Sequence, residues 1–183
     1  TPVVEIADDS FSNSSTEEAI LTEGIRYIGR NAFSGCNRLH QVVLPISIEE
    51  IEDSAFENCS SLKSLSLPAA LKTIGDCALK ETGLRTIKIP KSVFWLGKGL
   101  LMGCESLEQM TVPGNIVKIP DRMFEGCTNL KKIELHEKVE VIGERAFFGC
   151  SSLDFIVIPD SVKQIGQDAF TNTDKQFIIQ CYF

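Results

Sequence analysis

One phrase recurs seven times along this chain, and its period limits the possible folds more than any other feature. "NAFSGCNRLHQVVLP" (Asn31 to Pro45), "SAFENCSSLKSLSLP" (Ser54 to Pro68) and "RAFFGCSSLDFIVIP" (Arg145 to Pro159) are versions of the same text. Units cut before their opening apolar residue start at Ile25, Ile48, Leu71, Val93, Ile116, Val139 and Val162, at intervals of 23, 23, 22, 23, 23 and 23 residues. The one short unit, from Leu71, has lost a residue in its "ETGL" turn, where others read "GCNRL" or "NCSSL".

With each unit numbered from slot 1, apolar residues fall in slots 1, 4, 9, 15, 18 and 20; in the second unit these are Ile48, Ile51, Phe56, Leu62, Leu65 and Leu67. Slot 9 is rich in aromatics: Phe33, Phe56, Leu79, Leu101, Phe124, Phe147 and Phe170. Slots 18 and 20 alternate as in a strand. The proline of slot 21 then stops the ladder, because it has no N–H to donate. Slots 1 and 4 read as a second short extended segment, ended by the slot-5 glycine (Gly29, Gly75, Gly97, Gly143, Gly166), and the "AF.GC" phrase between is a tight turn. A unit of this size cannot bury its apolar face alone. Stacking units at roughly 4.8 Å per strand closes a continuous core between them, so a solenoid is expected.

Residues 1–24 read as a degraded further unit that caps the stack. Val3, Ile6, Phe11 and Asn13 take slots 1, 4, 9 and 11, and Ala19 and Leu21 take slots 18 and 20 if one residue is missing between. The remainder is polar, as a terminal repeat should be; a flexible Ser/Glu-rich tail is the other reading. The expected organisation is thus a cap, residues 1–24, and repeats over residues 25–183.

With 183 residues, 43% of them hydrophobic, there is ample core for one folded unit. No apolar run is long enough to span a membrane. The chain opens "TPVVEI" and ends "FIIQCYF", so it is expected to be a processed chain or a monomeric fragment of something longer. A net charge of −7 argues against non-specific nucleic-acid binding, which relies on a basic surface.

Five of the seven cysteines, Cys36, Cys59, Cys104, Cys127 and Cys150, share slot 12, with Thr82 and Thr173 in the other two units. No Cys-x-x-Cys pair suggests zinc. Stacked neighbours have parallel Cβ directions, which suits a disulfide poorly. The column is expected to be small buried thiols holding a turn. Cys181 falls in core slot 20, and Cys77, in outward slot 7, is the thiol expected to react.

The phrase "IG..AF.GC.SL..I.IP.SV", clearest in "VIGERAFFGCSSLDFIVIPDSV" (Val141 to Val162), resembles the BspA-like bacterial leucine-rich repeats. The resemblance is strong over residues 25–183 and weak over 3–24. It implies a right-handed leucine-rich-repeat solenoid with a parallel β-sheet on one face, seven full 23-residue repeats and a degenerate cap, on secreted or cell-surface proteins associated with adhesion. It brings no catalytic motif. Three residues depart from the pattern: His136 replaces the slot-21 proline, and Glu52 and Pro120 replace the slot-5 glycine, so these turns are expected to differ.

His40 and His136 occupy different units and slots, with no nucleophile matched to either, and read as solvated surface residues. There is no Gly-x-Ser-x-Gly, Walker loop or His-Glu-x-x-His. "NSS" at Asn13 and "NCS" at Asn58 match the glycosylation sequon, which matters only in a eukaryotic secretory pathway. No enzyme activity, cofactor or metal is expected. Function then falls to the outward residues of the slot-18 sheet, in slots 16, 17 and 19. Lys63, Arg85, Lys88, Lys131 and Lys132 there outnumber Glu108, Glu134 and Asp154 by two, on a chain of opposite net sign. These five, with Phe155 and Val157 as an apolar anchor, are the candidate ligand surface for an acidic protein or glycan of a host or neighbouring cell. The alternative is that the basic residues merely pair with the carboxylates of neighbouring strands. For the whole chain the alternative is a non-catalytic spacer or targeting domain of a larger secreted protein. Trp95, in slot 3, is expected at the surface away from this sheet, either lying flat over Thr73 and Lys118 or serving as a ligand platform.

The period generates a direct test. Deleting one whole unit, Val139 to Ser161, should leave a folded but less stable protein, because each unit contacts chiefly its neighbours. Deleting about ten residues from the same unit should be far worse, since it shifts every core column. Equal losses in circular-dichroism melts would contradict the solenoid.

Overall fold

The computed structural model describes residues 4–173 and the strand Ile178–Cys181. Val3 and Phe177 lie outside the described residues, as do the side chains of Ile178, Gln180 and Cys181. Among the described residues there are strands and turns but no helix. In chain order the strands are β1 (Glu5–Ile6), β2 (Glu18–Ile20), β3 (Tyr27–Ile28), β4 (Gln41–Val43), β5 (Glu50–Ile51), β6 (Thr73–Ile74) and β7 (Trp95–Leu96). They continue with β8 (Gln109–Thr111), β9 (Lys118–Ile119), β10 (Lys132–Glu134), β11 (Val141–Ile142), β12 (Phe155–Ile158), β13 (Gln164–Ile165) and β14 (Ile178–Cys181). Every pairing is parallel, and each joins equivalent slots of adjacent units: Glu50 pairs with Thr73 and Thr73 with Trp95. The fold is a leucine-rich-repeat solenoid.

The slot-18 sheet forms as three two-stranded ladders, β2–β4, β8–β10 and β12–β14. The slot-3 and slot-4 segments form a second, more continuous array, β1-β3-β5-β6-β7 followed by β9-β11-β13. Residues 4–24 join both arrays: Ile6 pairs with Ile28 and Ala19 with Val42, while the Phe11 ring stacks on Phe33 at 5.1 Å. That register contains the one-residue deletion expected between slots 11 and 18.

The core fills the space between the two arrays. Slots 1, 4, 9, 15 and 18 are buried throughout the middle units. The phenylalanine column stacks ring on ring, with Phe33–Phe56 at 5.3 Å and Phe124–Phe147 at 5.1 Å. Slot 20 is less uniform, since Leu44, Leu67 and Leu135 are only half-buried. Ile165, on the last strand of its ladder, is 47% exposed. Slot 8 (Ala32, Ala55, Ala78, Leu100, Met123, Ala146, Ala169) is an additional buried column.

The turn between the arrays is itself hydrogen-bonded from unit to unit. Each slot-9 N–H donates to the next unit's slot-8 carbonyl, as in Phe33 to Ala55 and Phe147 to Ala169, both at 2.8 Å. Slots 7 and 11 have left-handed backbone, for example Asn31 at φ 53° and Gly126 at φ 75°, which explains the Gly or Asn before the cysteine in most units. The slot-5 glycines answer to a different need, close approach. A Cβ on Gly97 would overlap the backbone of Gly75 in the preceding unit.

Of the three departures from the repeat pattern, two leave the turn unchanged. Glu52 N–H still donates to the Ile28 carbonyl at 2.9 Å, and the His136 carbonyl accepts from Val139 at 3.0 Å, just as Pro45 does from Ile48 at 3.3 Å. Pro120 differs. Slot-5 N–H groups donate to the preceding slot-4 carbonyl in every other unit, as Gly97 does to Ile74, but proline has no N–H. The array breaks there, between β7 and β9.

Phe147→Ala empties a fully buried slot between two stacked rings and should cost about 3–5 kcal/mol. Glu144→Ala, on the exposed turn of the same unit, should cost less than about 0.5 kcal/mol. Chemical denaturation compares the two, and similar midpoints would remove slot 9 from the core.

Candidate interaction surface

Alternation along the slot-18 strands sets the candidate surface. In β8, Met110 is buried while Gln109 and Thr111 are exposed; in β10, Ile133 is buried while Lys132 and Glu134 are exposed. On this face, between β4 and β8, the slot-18 segments of the two intervening units form no regular strand, only an isolated bridge from Thr86 to Gln109. A recess of about 510 Å³ opens there, floored by Leu65 and Ile87 and flanked by Ser64, Ser66 and Lys88. It runs into a second of about 460 Å³, walled by Thr86, Lys88, Gln109, Thr111, Lys132 and Glu134. A third, about 470 Å³, lies where β10 and β12 stand side by side without pairing, and Lys131, Lys132, Asp154, Phe155 and Val157 line it.

The structure therefore sorts the seven candidate residues into groups. Lys131, Lys132, Phe155 and Val157 share the third recess, and Lys88 and Lys132 share the second. Lys63 and Arg85 are exposed but line none of the three. Phe155 is 42% exposed, whereas Val157 is half-buried. Lys132 binds Glu134, two residues away on the same strand face, at 2.7 Å. That bond, with help from Thr111, holds the Glu134 carboxyl below its ordinary value. Among the described residues Lys63, Arg85, Lys88 and Lys131 make no ion pair, although Lys63 Nζ donates to the Ser60 carbonyl at 3.4 Å. The pairing alternative thus holds for one of the five basic residues, and along a strand rather than across strands. Outward Ser64, Thr86 and Gln109 gain a role as recess walls, a consequence of the broken ladder that alternation does not reveal.

The model of the BspA-type leucine-rich repeat region matches residues 4–130 and 49–177, with six copies of the repeat. The chain belongs to this family. A leucine-rich repeat protein of T. pallidum is 34% identical, with a TM-score of 0.80 over 88% of this chain and 74% of that one. One from Bacteroides ovatus is 27% identical, with a TM-score of 0.73 over 98% of this chain and 55% of that one. A leucine-rich cell surface protein of Faecalibacterium prausnitzii, 24% identical, shares the fold with a TM-score of 0.64 over 97% of this chain and 63% of that one. The chain thus spans little more than half the length of the Bacteroides protein. No curated protein sequence matches it. The BspA-type fold is typically non-catalytic.

In this BspA-type chain the cysteine column is structural. Cys36, Cys59, Cys104, Cys127 and Cys150 are free and fully buried. Each Sγ donates to the slot-9 carbonyl of the preceding unit, at 3.0 Å for Cys36 to Phe11 and 3.1 Å for Cys150 to Phe124. Thr82 instead donates to Leu79 within its own unit at 2.9 Å, a carbonyl that also accepts the Cys104 thiol at 3.1 Å. Burial pushes the Cys59 and Cys150 thiols up to about 12. Cys77 is the most accessible of the described cysteines but is not activated. It is half-buried, and that burial, then the Glu57 carboxylate, raises its pKa. It should alkylate before the column, yet more slowly than a free thiol.

The raised thiols carry a pH dependence. Below about pH 9, native and unfolded thiols are both protonated. Above it the unfolded thiols ionise while Cys59 and Cys150 stay protonated to about 12, so stability falls as pH rises through this window. Cys150→Ala should make that fall shallower by about 1.4 kcal/mol per pH unit, whatever it costs at neutral pH. Urea titrations across the window measure the slope; an unchanged slope would place the thiol in contact with water.

Proposed function

We propose that the protein is an interaction module, displayed at a cell surface or secreted, that grips an acidic stretch of a partner on a host or neighbouring cell. The observation that carries this reading is the set of exposed, unpaired cations Lys63, Arg85, Lys88 and Lys131 on one face of a chain whose net charge is −7. Cations stabilising the fold would sit beside carboxylates, as Lys72 does beside Glu49 and Lys163 beside Glu140 on the opposite array. The half-exposed Phe155 beside Lys131 adds apolar area that charge alone lacks. The bacterial repeat family, and the cell-surface description of the Faecalibacterium protein, support display outside the cell. Among the described residues no helix is long and apolar enough to cross a membrane.

Surface charges contribute weakly one by one, and steer association more than they hold it. Arg85→Glu with Lys88→Glu should therefore weaken binding of a partner captured by pull-down by about tenfold at low salt. The difference should shrink as salt is added, with the melting curve unchanged. Equal affinity of variant and parent at every ionic strength would exclude the basic face from recognition.

A further inference from the structure

The opposite array carries a separate feature at the Pro120 break. Elsewhere the slot-2 N–H donates to the preceding slot-2 carbonyl, as Phe94 does to Lys72 at 3.0 Å and Glu140 to Val117 at 2.7 Å. Between β7 and β9 no such bond forms, so the carbonyls of Phe94 and Leu96 lack the donors their equivalents have. A cleft of about 330 Å³ opens between the two units, lined by Phe94, Trp95, Val117 and Pro120 with Lys98 and Lys118 beside them. Phe94 is 67% exposed, Trp95 60% and Val117 50%, a cluster of large apolar groups in solvent. Isolated exposed apolar residues need no explanation, but three around one cleft do.

The polar groups at the cleft are balanced in charge. Lys118 and Lys98 share the Asp121 carboxylate, at 3.3 and 3.8 Å. Asp76, on the cleft wall, accepts the Lys98 backbone N–H at 2.7 Å through one oxygen and keeps the other free of any protein hydrogen bond. The two lysines of the lining are thus matched by Asp76 in the lining and by Asp121 outside it, a balance that complements a neutral ligand and leaves a charged one uncompensated. A purely aliphatic occupant would leave the free carbonyls without donors. The cleft calls for a neutral group with a flat apolar face for the rings and an edge of hydroxyls that both donate and accept. Its volume is at the small end of the ~300–1,000 Å³ range of small-molecule sites.

We propose that this cleft binds a neutral hexopyranose residue of a glycan, stacked on Trp95 with its hydroxyls bonded to the Phe94 and Leu96 carbonyls, Asp76 and the two lysines. The site is independent of the basic face on the other array.

Trp95 is the only tryptophan, so its fluorescence reports the site directly. Cellotetraose, maltotetraose, chitotetraose and mannotetraose are titrated to about 10 mM, enough to detect millimolar binding. At least one should shift Trp95 emission saturably and equally at low and high salt, because no net charge is being matched. By calorimetry, Trp95→Ala should weaken that sugar at least about tenfold. Pro120→Gly restores the missing N–H and should close the cleft, abolishing sugar binding while the melting temperature holds or rises. Arg85→Glu with Lys88→Glu should bind the sugar like the parent. The proposal falls if none of the four sugars titrates, or if Trp95→Ala or Pro120→Gly keeps parental affinity. It falls equally if only acidic saccharides bind, with salt dependence, or if an apolar peptide shifts the emission where the sugars do not.

Discussion

Everything in this protein depends on one backbone hydrogen bond, repeated between residues of adjacent units. In slots 2 and 5 the N–H reaches back to the preceding unit, and in slots 7, 9 and 11 it reaches forward to the next, mostly within 2.7 to 3.1 Å. Each such bond contributes only about 1 kcal/mol net. Its consequence is geometric: equivalent residues must lie one strand spacing apart, so every column of like side chains becomes a stack. The phenylalanine column, the alanine column and the thiol column are three results of that spacing. The slot-9 carbonyl accepts the slot-12 N–H of its own unit, as Phe33 does from Cys36 at 3.1 Å, and keeps a second lone pair for a donor from inside. The cysteine supplies it from the following unit. A thiol is small enough for the space and apolar enough for the core.

The repeat made the fold legible, because a period of 22 or 23 residues in register permits few architectures. Burial of slots 1, 4, 9, 15 and 18 was equally readable from apolar identity. Other columns were less so. Alanine in slot 8 carries too little apolar signal to separate a packed position from a tolerated one. The slot-6 aspartates have a similar hidden role: Asp53 accepts the Asp76 N–H at 2.8 Å and Asp8 the Arg30 N–H at 2.8 Å, yet in sequence they look like solvated charges. The two-residue strands of slots 3 and 4 have no room for alternation, so their continuity shows only in the pairing.

For the candidate surface, sequence alternation showed which side chains leave the core but not what they meet outside. Lys132 and Glu134 share a strand face, so their pairing was within reach of the pattern. The freedom of Arg85, Lys88 and Lys131 was not, because it depends on where long side chains settle. Among the substituted turns, the deciding quantity is the backbone group that the slot must present. Slot 21 presents a carbonyl, which histidine has. Slot 5 presents an N–H, which glutamate has and proline lacks.

Interruptions in the ladders are where this repetitive molecule acquires individual features. The β7–β9 break is tolerable because the same two units remain joined through the turn, with Gly99 donating to Asp121 at 2.9 Å, Leu101 to Met123 at 3.0 Å and Gly103 to Glu125 at 2.7 Å. On the slot-18 side β8 and β10 stay paired across the same junction. The converse holds between β10 and β12, which are unpaired while β9, β11 and β13 run without a gap. The gaps on the two arrays thus fall at different junctions, so each junction keeps at least two of its three hydrogen-bonded arrays. A solenoid built this way can open a recess on one side while the other side and the turn maintain its register. Recognition can then be placed locally in a fold whose core is otherwise uniform.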